Sequence, residues 1–134
     1  MSAPLGTVVP SISPYLFYED VEKGFAFLLE VFGLEKIAVQ EVRGRTVMAQ
    51  AGLGQFTVVV AQARDTELVP ARTLGGVHSA IAVMVDDVDA HHARARQAGA
   101  TIWAELSDKP YGVREYGVRD TEGNLWFFAT PLKR

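Results

Sequence analysis

The sequence predicts an α+β fold built from two tandem β-α-β-β-β modules. Three observations point there. Leu16-Phe17-Tyr18-Glu19-Asp20-Val21 resembles Val83-Met84-Val85-Asp86-Asp87-Val88, with an offset of 67 residues. Each stretch runs into residues at helical spacing, and each of those segments ends at a glycine, Gly33 or Gly99. Each glycine is then followed by three short strand-like runs rich in β-branched and aromatic residues, with Gly, Asp and Asn between them.

The elements follow in chain order. A first strand carries Tyr15 and Phe17 on one face, Leu16 and Tyr18 on the other. Asp20 is placed to cap a helix whose apolar residues are Phe25, Phe27, Leu28, Leu29 and Phe32. Residues 36–40, 46–50 and 56–61 read as strands, with a hairpin turn at 52–54. Residues 64–76 are polar, contain Pro70 and Gly75-Gly76, and read as a linker. A fifth strand over 78–85 puts Ile81, Val83 and Val85 under the second helix and His78, Ala80 and Ala82 on the opposite face. Asp87 caps that helix, which runs through Ala90, Ala93, Ala95 and Ala98. Within it His91-His92 reads as solvated, since adjacent positions do not share a helix face, and Arg94 and Arg96 read as solvent-facing. Residues 101–106, 114–118 and 125–130 are the last strands, with a turn at 120–124. In the final strand Trp126 and Phe128 belong under the helix, Leu125 and Phe127 opposite. The expected organisation is one domain over 1–134, with modules at 12–63 and 77–131.

One such module is a curved sheet with a helix on its convex side. Two together form a cupped, partly open mixed β-sheet cavity, lined by partly aromatic and mostly uncharged residues. A cavity of that kind suits a flat or apolar small molecule.

Composition narrows the partners. Thirteen basic against sixteen acidic residues give a net charge of −3, which disfavours nucleic acid and an anionic membrane surface. There is no cysteine, so thiolate metal sites and thiol nucleophiles are excluded. Met1 to Pro10 carries no Lys or Arg and no long apolar core, so it is not read as a signal peptide, and no apolar run is long enough to span a bilayer. The expected location is cytoplasmic. The glycine pairs lack the helix and lysine of a phosphate-binding loop.

The second half, from Val85-Asp86-Asp87-Val88-Asp89-Ala90 through Ala98-Gly99-Ala100 and Gly112-Val113-Arg114-Glu115-Tyr116-Gly117-Val118-Arg119-Asp120 to Gly123-Asn124-Leu125-Trp126, resembles the vicinal oxygen chelate superfamily. That group includes glyoxalase I, extradiol dioxygenases, methylmalonyl-CoA epimerase and bleomycin-resistance proteins. Pro14-Tyr15-Leu16 and Phe32-Gly33 resemble the family's N-terminal module, so the resemblance spans about 12–131. It implies four positions for the ligands of a divalent metal. Here they read Ser13, Val58, Ala80 and Phe127, of which three cannot ligate. The expectation is therefore no metal and no cofactor. The pattern is closest to the bleomycin-resistance-like and uncharacterised glyoxalase-like members, the former sequestering a ligand without a metal of their own. The resemblance further implies a homodimer, in some members with exchanged modules.

The expected function is metal-independent binding or sequestration of a small aromatic molecule, of the antibiotic-resistance kind. Tyr15, Phe17, Phe56, Val58 and Phe127 are expected to line the cavity, and Trp103, Tyr111 and Tyr116 to stack on the ligand. Arg114 is expected either to pair with a ligand anion or to make an internal pair with Glu105 or Glu115. His78 is the one weak catalytic candidate. Two alternatives stay open: a lyase, isomerase or dioxygenase-like enzyme with a non-standard site, using His78 as base and Tyr116 or Arg114 as electrophilic partner; and a dimeric domain whose cup is filled by its own Phe127 and Trp103.

Overall fold

The computed structural model describes residues 12–133; Met1 to Pro10, read above for signal character, lies outside the described residues. The order is β1 (Tyr15–Tyr18), α1 (Val21–Glu30), β2 (Glu35–Val42), β3 (Arg45–Leu53), β4 (Phe56–Gln62), β5 (Ile81–Met84), α2 (Val88–Gln97), β6 (Thr101–Asp108), β7 (Val113–Arg119) and β8 (Leu125–Pro131). These make two four-stranded mixed sheets, ordered β1-β4-β3-β2 and β5-β8-β7-β6. In each, the first strand pairs parallel with the last and the other pairs are antiparallel.

Both helices start at the expected caps. The Asp20 carboxylate accepts from the Lys23 amide and Asp87 from the Ala90 amide, each at 3.0 Å. These bonds satisfy amide groups that the first turn leaves unpaired. Gly33 and Gly99 close the helices at φ 79°, a conformation open to glycine at little cost. Helix α1 buries Val21, Gly24, Phe25 and Leu28, spaced for a single face.

Each helix covers one face of its own sheet, and the two covered faces share one core. Tyr18, Phe25, Leu28, Phe32, Val58 and Val60 from the first half join Val88, Ala95, Tyr116, Val118, Trp126 and Phe128 from the second. Phe32 carries the join, with its ring 5.2 Å from Trp126 and 4.8 Å from Phe128. Tyr18 donates its hydroxyl to Asp120, and the Glu122 carboxylate accepts from the Glu19 and Asp20 amides at 3.0 Å. Arg94 donates Nε to the Glu30 carbonyl at 2.9 Å, at the end of α1. Closing these faces together leaves the opposite face of each sheet open.

Two expectations are corrected. The fifth strand begins at Ile81, not at 78. Its register pairs Ile81 with Trp126, and carried back it would set His78 against the turn glycine Gly123, where no strand is available. The linker also holds structure: a single 3-10 turn at Ala71–Thr73, pinned where the Arg72 amide donates to the Glu122 carbonyl at 2.8 Å.

Candidate functional site

The open face of the second sheet carries an aromatic pair. Strand alternation turns Tyr116 and Val118 into the core, so Glu115 and Gly117 face the other way. Across the sheet Gly117 pairs with Phe127, which pairs with Ala82; Glu115 pairs with Ala129, which pairs with Met84. Trp103 lies edge-on to Phe127 with ring centroids 5.9 Å apart. Gly117 leaves them room, because a Cβ there would stand 3.1 Å from both rings, close enough that they would have to shift. Trp103 is 54% exposed and Met84 55%. Among the described residues, this is a platform of apolar surface left uncovered.

The open face of the first sheet holds a shallower cavity of about 460 Å³. Ser13, Tyr15, Gln40, Met48, Gln50 and Val59 are among the residues that line it. Ser13 and Thr57 are hydrogen-bonded through their hydroxyls at 2.5 Å. Tyr15 and Phe17 share this face, with ring centroids 6.5 Å apart.

A third feature lies between the sheets: a groove of about 450 Å³ along the edge of β5. Pro14, Leu34, Leu53, Phe56, Val58 and Trp126 are part of its lining, with both faces of β5 contributing. The register explains it. Ala49 pairs with Val60, eleven residues on, whereas Tyr116 pairs with Phe128, twelve residues on. The second hairpin is one residue longer, so Val58 is the counterpart of Trp126, and Val59 that of Phe127. A valine where the other sheet has an indole leaves space.

The same register corrects the sequence expectation for Val58. Counting from the turn glycine places it on the open face; a one-residue difference reverses the face, and Val58 is buried in the core. The positions assigned to metal ligands become Ser13, Val59, Ala80 and Phe127. One hydroxyl and three hydrocarbon side chains are not a donor set for a divalent cation. Among the described residues, no three His, Asp or Glu side chains gather to hold one. The residues present do not fit the metal that the resemblance implies.

The other named residues divide between faces. Tyr15, Phe17, Trp103 and Phe127 stand on open faces. Phe56 is 71% exposed at the rim of the groove. Tyr111 donates to Glu115 Oε1 at 2.7 Å, beside the aromatic platform, and that bond to a carboxylate holds its phenol above the usual range. Tyr116 is not a stacking residue: it is fully buried under α2. Burial raises its phenol well above the usual range. Arg114 is on the helix side too, donating to Asp108 at 2.7 Å and pairing with Asp89 at 3.2 Å. Its internal pair is therefore with these aspartates rather than Glu105 or Glu115. His78 is exposed in the bend before β5. His78, Tyr116 and Arg114 thus do not converge on one open face.

The helix histidines are also corrected. His91 and His92 lie between Val88 and Ala95, on the face that α2 buries. His91 Nδ1 meets the Tyr116 hydroxyl at 2.6 Å and Nε2 meets the Phe32 carbonyl at 2.9 Å. Desolvation lowers its pKa, Arg94 adds to the lowering, and the Phe32 bond opposes it. The arrangement fits a neutral ring donating from Nε2 and accepting at Nδ1. His92 bonds Glu105, which also pairs with Arg96.

Asp120 is the most densely bonded side chain. It accepts from Tyr18, Trp126, Asn124 and the amides of Glu122 and Asn124. Burial lifts its carboxyl, and these bonds pull it back. With its acceptor sites filled, this carboxylate serves the fold.

The model of the Glyoxalase/Bleomycin resistance protein/Dioxygenase superfamily matches residues 7–128. An uncharacterized protein of Mycobacterium bovis is 30% identical over 131 residues, covering 94% of this chain and 86% of that protein. Among solved structures, TioX from Micromonospora sp. ML1 is 34% identical with a TM-score of 0.75, covering 92% of this chain and all of that one. TnmS3, an antibiotic binding protein from Streptomyces sp. CB03234, is 22% identical with a TM-score of 0.73, covering 93% of this chain and 98% of that one.

Proposed function

The chain belongs to the glyoxalase/bleomycin resistance protein/dioxygenase superfamily, and on that premise we propose that it binds a small aromatic molecule without a metal of its own. The observation that carries this reading is the pair of exposed Trp103 and half-buried Phe127, set over Gly117 on an open sheet face. Phe127 itself stands at one of the positions where a metal-dependent member needs a ligand. Stacking on such a pair contributes about 0.5–1.5 kcal/mol beyond area burial. TnmS3, with the same fold, is an antibiotic binding protein, which supports sequestration over chemistry. No specific observation favours the enzyme reading, since its three candidate residues lie apart.

We further propose that two copies pair, so that the open face of one sheet is covered by that of the other chain. Tyr15, Met84 and Trp103 are large apolar side chains exposed on the open faces of the isolated chain, and a partner would bury them. Light scattering behind size exclusion tests this: a mass of twice 14.6 kDa is expected, and a monomer at micromolar concentration would contradict it.

The binding reading is tested with Phe127→Ala. Phe127 is half-buried on the open face, so its loss should weaken binding of planar aromatics with a stability loss well below the about 3–5 kcal/mol of a buried Phe→Ala change. Unchanged binding with a large stability loss would make Phe127 a core residue instead.

A further inference from the structure

We infer that the ligand is a planar aromatic cation, its ring against Trp103 and Phe127 and its positive charge beside Glu115. This rests on the proposed binding face and adds to it a charge and an anchoring group.

Glu115 is the acidic side chain on that face between Ala129 and Ser107, one row along from the Phe127–Gly117 pair. One row is two residues, about 7 Å along a strand. Glu115 is half-buried. Its Oε1 accepts the Tyr111 hydroxyl at 2.7 Å, which fixes the carboxylate's orientation. Among the described residues, Oε2 has no hydrogen-bond partner, and the ion pairs leave Glu115 out. The other carboxylates of this sheet region behave differently: Asp89 and Asp108 are held by Arg114, and Glu105 by Arg96 and His92. Arg119, four residues from Glu115 on the same strand face, is engaged elsewhere: its guanidinium donates to the Gly123 carbonyl at 2.8 Å.

A carboxylate at the edge of an apolar platform, oriented but not neutralised, favours a positive group. The two aromatic faces add to this preference, because a cation within about 6 Å of a ring is attracted by its quadrupole.

Fluorescence titration of the intact chain tests this with three tricyclic probes of similar shape. They are 9-aminoacridine, a cation at neutral pH; acridone, neutral; and anthracene-9-carboxylate, an anion. The cation should bind about tenfold tighter than acridone, a difference that one charge-assisted contact supplies. Glu115→Gln keeps an acceptor for Tyr111 and should remove most of the cation's advantage over acridone, leaving acridone unmoved. Added salt should weaken the wild-type chain's hold on the cation alone, which checks the charge without any variant. Equal binding of cation and acridone, unaffected by Glu115→Gln and by salt, would overturn the charge assignment while leaving the aromatic face standing. If no probe binds, or if Phe127→Ala leaves all three unchanged, the binding face itself is wrong.

Discussion

His91 shows how a single residue was misread and what its setting does. Judged beside His92 it looks like a solvent residue. Judged by spacing, it lies three residues after Val88 and four before Ala95, both of which α2 buries. The signal was present in the sequence but was carried by small residues, which mark a buried face weakly. The consequence is a pH dependence. The folded pKa is lowered below the unfolded value of about 6.5. As pH falls through that value the unfolded chain takes up a proton that the folded chain does not, so stability falls with acidification and is fully present above it. Denaturant melts between pH 8 and 5 should show this slope. His91→Asn should flatten it, and an unchanged slope would mean that other groups carry the dependence.

At the scale of elements, caps and helix-closing glycines were legible because their side-chain chemistry is local. Asp20, Asp87, Gly33 and Gly99 all act where the sequence placed them. Face assignments were legible in β1 and β8, where successive side chains alternate between the helix side and the open face without a bulge. They failed at β4 because the register depends on the length of a hairpin, and one residue moves Val58 from open face to core. No local residue announces that difference. The partners of Arg114 are hidden from the sequence for a similar reason: Asp89 and Asp108 come from a helix start and a strand end that only the fold brings together. Two glycines give element-level tests. A methyl group on Gly24 would run into the Tyr18 ring, which is fully buried against Asp120. Gly24→Ala should therefore cost about 1–3 kcal/mol of stability, as overpacking does, measured by denaturant unfolding. Gly117→Ala pushes instead on Phe127 and Trp103 at 3.1 Å, and those rings border open space. Its main effect should be on aromatic binding; a loss of stability equal to that of Gly24→Ala would argue against the platform.

For the whole molecule, the duplication was readable from two short segments 67 residues apart, since repeated capping and glycine positions are a sequence property. How the two modules pack was not readable. It depends on Phe32 reaching Trp126 and Phe128, and on Tyr18 reaching Asp120, contacts between distant parts of the chain. The outcome is one shared core and two open faces, each carrying an aromatic pair. The donor chemistry predicts no stoichiometric transition metal in the purified protein, and elemental analysis finding one zinc, nickel or iron per chain would contradict that.

The most direct test of metal-independent aromatic binding is thermal unfolding of the metal-stripped protein against planar aromatic compounds and a divalent-metal series. A ligand at a hundredfold excess over its dissociation constant adds about 2.7 kcal/mol to apparent stability. The account predicts an upward shift with aromatic compounds, reduced in Phe127→Ala, and none with metals. A shift with nickel, zinc or manganese and none with any aromatic compound would contradict it.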